Sequence, residues 1–122
     1  MPQTNLSRAE SYYQAICQKD LAAASQHLHS EVIVLSPLMK LAGKEAVLED
    51  VKWFMDIINN LDIRAKFVSG NQVMLVFDLD ATAPIGILPT AVLMTFKDAL
   101  ISRIELFFDA RPLEKYSNLN AA

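Results

Sequence analysis

The chain predicts an α+β fold, and three features carry that reading. Helix signals fill residues 7–28, a long amphipathic stretch runs over residues 44–60, and from Leu61 the apolar period drops from helical spacing to two. At 122 residues, 52% hydrophobic and 20% charged, the sequence describes one domain over residues 1–122 with enough apolar material for a real core. That core is expected over about residues 8–112, with 113–122 as a tail and disorder confined to the ends.

Each element has its own signal. Ser7 and Glu10 have capping-box spacing, in which two side chains satisfy free backbone N–H groups at a helix start, so a helix is expected over Arg8–Lys19. Asp20 can cap a second short helix, "LAAASQHL". In "EVIVLSP" the pattern turns β-branched and stops at Pro37, a strand of about five residues. Gly43 then precedes "KEAVLEDVKWFMDIINN", where Leu48, Val51, Met55 and Ile58 form a stripe widened by Val47 and Phe54. Glu45, Glu49, Lys52 and Asp56 form the opposite, solvated face, and Trp53 sits beside it as a border residue or as part of a pocket lip.

Period two then predicts strands over about 62–68, 72–82, 86–97 and 100–108. A three-residue loop over Ser69–Asn71 keeps apolar residues in register, setting Phe67 opposite Val73, Ala65 opposite Leu75 and Ile63 opposite Phe77. The core face then holds Leu88, Thr90, Val92, Met94 and Phe96 on one strand and Ile104, Leu106 and Phe108 on the next. The second face, with Arg64, Lys66, Met74, Val76, Asp78 and Asp80, is mixed and suits a subunit contact, so a homodimer is expected.

The charge pattern argues against several functions. Net charge is −3 with no basic cluster interleaved with aromatics, so nucleic acid is not an expected partner. The single cysteine, Cys17, has no CxxC or His-spaced companion and suits a reducing compartment as a small buried hydrophobe. "MPQTNLSRAE" lacks the order of a signal peptide, and every apolar run falls far short of the roughly 20 residues that span a bilayer, so a cytoplasmic protein is expected. His27 and His29, spaced i,i+2, diverge on a helix and make no metal site, while Asp78 and Asp80 read as solvated charge or an interface ion pair. Nothing resembles a phosphate loop, a dinucleotide fingerprint or a Ser-His-Asp set, so no cofactor is expected.

The phrases "YYQAICQKDLAAASQHLHSEVIVLSP", then Gly43 before the long helix, then "ISRIELFFD" resemble the SnoaL-like group of the nuclear transport factor 2-like superfamily over roughly residues 8–112. The resemblance implies a cone: a strongly curved antiparallel sheet wrapped around a long helix, with N-terminal helices, enclosing an apolar cavity. A compact apolar or cyclic small molecule is the implied ligand, bound by Trp53 and Met55 of the helix and Thr90, Val92, Met94 and Phe108 of the sheet. Fold alone does not supply a reaction, because such cones host many.

Ketosteroid isomerases, in the same superfamily, use a carboxylate base, a tyrosine and a protonated Asp. Aligned on the Asp20 helix start, the tyrosine falls at Tyr13, the base at Ser36 and the protonated Asp at Val92. Neither Ser36 nor Val92 can do that work, so steroid-type isomerisation is not expected. SnoaL-like cyclases imply instead a carboxylate near the last strands, which makes Asp109 the acid/base candidate beside Tyr13 as hydrogen-bond donor. Strict alternation turns Asp109 away from the cavity, and a bulge at Phe107–Phe108 would turn it inward. The competing reading is a clasp between Asp109 and Arg111 at the strand end. Whether the chain is an enzyme, of isomerase, cyclase or dehydratase type, or a non-catalytic binding or assembly module turns on where a carboxylate sits.

Overall fold

The computed structural model describes residues 4–120, with side chains to residue 117. Helix α1 (Asn5–Cys17) begins a turn earlier than the capping box suggests, because Thr4 accepts the Ser7 N–H at 3.0 Å. Glu10 pairs instead with Lys66 at 2.7 Å. Asp20 caps α2 (Leu21–Ser25) as expected, accepting from the Ala23 N–H at 3.0 Å. That helix stops before His27, and His29 already lies in strand β1 (Leu28–Leu35), so the two histidines do not share a helix. His27 meets Arg8, and its ring is held below its usual pKa by burial and by that guanidinium.

A short strand with no sequence signal, β2 (Lys40–Ala42), precedes α3 (Lys44–Ile57). Gly43, at φ +94°, leads into that helix. The helix passes straight into β3 (Ile58–Ser69) without a loop, and the Lys19 ammonium covers the junction by donating to the carbonyls of Met55 and Ile58. Strands β4 (Gln72–Ala81), β5 (Gly86–Lys97) and β6 (Leu100–Phe108) follow the predicted spans closely. The six strands form one curved, open sheet in the order β2-β1-β6-β5-β4-β3, antiparallel except for the parallel β1–β6 pair.

The β3–β4 turn departs from the pattern argument. Ser69 pairs with Gln72, so Gly70 and Asn71 form a two-residue loop, and Phe67 faces Met74 rather than Val73. Lys66 therefore lies opposite Leu75, where its charge is met by Glu10 of α1. A bulge at Arg64 then restores the apolar register, returning Ile63 to Phe77 and Leu61 to Leu79. Arg64 itself pairs with Asp78 at 3.2 Å. One extra residue in β3 interrupts the ladder and supplies the shift that a longer loop would have given.

The concave face carries the expected core: Val73, Leu75 and Phe77 of β4, Val92 and Met94 of β5, and Ile101 and Ile104 of β6 are buried against α1 and α3. Residues 113–117, expected within the tail, belong to a fourth helix, α4 (Arg111–Asn120), whose Leu113 is buried and whose Tyr116 packs on the core. The expected end disorder concerns residues 1–3 and 121–122, outside the described residues.

Candidate functional site

The mouth of the cone holds an apolar cavity of about 100 Å³. Its floor is sheet: Phe77 and Leu79 of β4, Leu88 and Thr90 of β5, and Ile104, Leu106 and Phe108 of β6. Its walls are Tyr12, Tyr13 and Ile16 of α1 and Val47, Asp50, Val51 and Phe54 of α3, and Leu113 of α4 closes one side. An adjoining outer recess is lined by Leu38, Met39, Asp50, Trp53, Glu114 and Ser117. Trp53, 40% exposed, lines both spaces and is therefore a lip residue rather than a border residue.

Four of the eight predicted site residues line the cavity: Tyr13, Trp53, Thr90 and Phe108. Met55, Val92 and Met94 are buried in the core behind it, packed among neighbouring apolar side chains rather than facing free space. Asp109 lies outside. Its carboxylate is gripped by Arg111 Nε at 2.9 and 3.1 Å and by Nη2 at 2.6 Å, and it also accepts the Arg111 N–H at 3.0 Å. Those bonds hold the Asp109 carboxyl down to about 2. No bulge interrupts Phe107 and Phe108, which pair in sequence with Ala91 and Thr90, so alternation keeps Asp109 off the concave side.

The cavity's carboxylate is Asp50, which sequence reasoning missed. Val47, Asp50, Val51 and Phe54 follow the spacing i, i+3, i+4, i+7, so Asp50 occupies a position on the apolar stripe of α3. A charge on such a stripe was the available signal. Asp50 is half-buried, and desolvation raises its pKa above the ordinary 3.8. It belongs to none of the ion pairs among the described residues.

The other polar groups divide into engaged and open. Ser36 Oγ accepts the N–H groups of Leu38 and Met39, both at 3.2 Å, and the Thr90 hydroxyl donates to the Leu88 carbonyl at 3.1 Å. Ser36 is thus committed to its own turn, and Val92 is buried away from the cavity. Tyr12 and Tyr13, although adjacent, both line the cavity, with ring centroids 5.2 Å apart and planes at 73°. Tyr13 also stacks at a tilt on Phe77, 5.1 Å away. Neither phenol meets a hydrogen-bond partner among the described residues, and neither is a sealed, unsatisfied atom, so both open onto the cavity. Burial raises both phenol pKa values, with the Asp50 charge adding to the rise at Tyr12, so the hydroxyls stay protonated donors across physiological pH.

Against known proteins, the SnoaL-like domain model matches residues 9–104, and the chain belongs to the SnoaL-like family. No curated protein gives a significant match. Among solved structures, a protein from Kribbella flavida is similar over 93% of both chains, with a TM-score of 0.85 and 23% identity. An NTF2-like protein of unknown function from Cytophaga hutchinsonii matches over 93% of this chain and 97% of its own, with a TM-score of 0.83 and 19% identity. TerC, co-crystallised with polyporic acid, matches over 91% of this chain and 95% of its own, with a TM-score of 0.78 and 16% identity. At these identities the likeness is one of fold. No helix among the described residues is long and apolar enough to cross a membrane.

Proposed function

We propose that this chain is a small-molecule pocket protein that holds a compact apolar or cyclic ligand between α1, α3 and the concave sheet. The observation that carries the reading is the position of Asp50: one ionisable carboxyl, unpaired among the described residues, on the wall of an otherwise apolar cavity beside two open phenols. Pockets of this composition bind by shape and fix orientation with a few polar groups. The fold relative crystallised with polyporic acid supports a small organic ligand.

A second reading, acid/base chemistry of isomerase, cyclase or dehydratase type, is favoured by the pairing of a carboxyl of raised pKa with phenolic donors. In it Asp50 exchanges the proton and Tyr13 or Tyr12 donates to the developing oxyanion, and Asp109 has no part because its carboxylate is already occupied by Arg111. Ligand-observed NMR with a set of compact ring compounds tests the pocket itself. Leu106→Trp, which fills the cavity from a half-buried position, should abolish binding seen with the parent. Equal binding to a folded Leu106→Trp variant would place the ligand elsewhere.

Dimerisation through the convex face belongs to the same proposal. Phe67, Met74 and Leu93 lie in one cross-strand row, and Ala65, Val76, Ala91 and Phe107 lie in the next. Phe67 and Phe107 are 59% and 53% exposed, which supports a second copy as the cover for this band.

A further inference from the structure

We infer that the cavity takes a compact ammonium ion carrying a single ring, with the ring inward against Phe77 and Phe108 and the ammonium beside Asp50. This rests on the pocket reading and adds the charge and size of the ligand. Among the described residues, the charged side chains lining the cavity and its outer recess are Asp50 and Glu114, both acidic, and no lysine, arginine or histidine joins them. A carboxylate in a largely apolar wall, with no ion-pair partner among the described residues, is held at a desolvation cost that a bound cation offsets. The same pair of carboxylates repels an anionic ligand and draws a cationic one toward the mouth.

The lining supplies the rest of an ammonium site. Trp53 at the lip and Tyr12 and Tyr13 on the wall line the cavity together with Asp50, and aromatic rings beside a carboxylate are side chains that attract an organic cation. The phenol oxygens can also accept from an ammonium N–H. Size sets the other limit. A cavity of about 100 Å³ is somewhat smaller than the roughly 150 Å³ of an apolar cavity that admits benzene, so at most one ring can enter and the charged end must sit toward the mouth. Asp50, which lines both inner cavity and outer recess, stands at that boundary.

The test uses three probes of one ring and similar length: 2-phenylethylamine, 2-phenylethanol and phenylacetate. The indole N–H of Trp53, the chain's one tryptophan, reports binding in a two-dimensional NMR titration. The expected order is amine tighter than alcohol by about tenfold, with phenylacetate weakest. Added salt should weaken the amine and leave the alcohol unchanged. Asp50→Asn should remove the amine's advantage while alcohol binding persists. If the alcohol or phenylacetate binds the parent as tightly as the amine, the charge assignment is overturned and the pocket reading stands. If none of the three moves Trp53, the pocket reading falls and this inference falls with it. The parent's own ranking decides the question even where Asp50→Asn does not fold.

Discussion

At the scale of single residues, two carboxylates show how environment separates roles. Asp109 is exposed and doubly bonded to Arg111, so it stays ionised and occupied. Asp50 faces apolar side chains and has its proton held more firmly. Because its folded-state pKa lies above the unfolded value, the stability it allows is fully present below pH 3.8 and is lost as pH rises through the folded value. Asn carries no charge to desolvate. Asp50→Asn should therefore have a higher Tm than the parent at pH 7, and the gap should close on acidification below pH 3.8, as read by calorimetry across pH. A lower Tm for the variant at pH 7 would mean that Asp50 is stabilised by a partner. The expected gain fits the general tendency of binding groups to be retained at the expense of stability.

At the scale of elements, the strands on the concave face were legible because alternation and β-branching agree with burial: β5 and β6 span what period two predicts. The N-terminal helix was legible in kind but not in its first turn, where Thr4 competed with Ser7 for the cap and won. Helix α4 was hidden because "RPLEKYSNLN" is polar, and among the described residues its anchoring comes from Leu113 and Tyr116. The site was half legible. Tyr13, Trp53, Thr90 and Phe108 follow from which face is concave, whereas Asp50 was passed over because the stripe was read for its apolar members. The β3 bulge is the element with the sharpest consequence. Deleting Arg64 removes the extra residue, so the ladder should run unbroken with Ala65 still opposite Val76, Ile63 still opposite Phe77 and the Gly70–Asn71 turn unchanged. The expected result is a cooperative urea transition retained in the deletion variant, and the charge change alone, Arg64→Gln, should cost under about 1 kcal/mol. A deletion that loses the cooperative transition would show that Arg64 is needed for more than setting the register.

At the scale of the whole molecule, the curved sheet gives the chain two apolar surfaces of different fate. The concave one is filled by α1 and α3 except at the cavity, and the convex one is left with its Phe67 and Phe107 rows open. Phe107→Asp should shift the protein from dimer to monomer in light scattering, with ligand binding to the cavity retained. A parent that is monomeric at all concentrations would remove the dimer proposal. The central claim is that a desolvated Asp50 keys the cavity to its ligand, and carboxyl ¹³C NMR titration of Asp50, without and with 2-phenylethylamine, tests it most directly. Glu114 is the other carboxylate at the mouth and is resolved separately, and the Tyr12 and Tyr13 phenols remain protonated throughout. The free protein should show an Asp50 midpoint above 3.8, falling when the amine is bound, with Asp109 fixed near 2 as an internal reference. An Asp50 midpoint at or below 3.8 that the amine leaves unmoved would contradict the account.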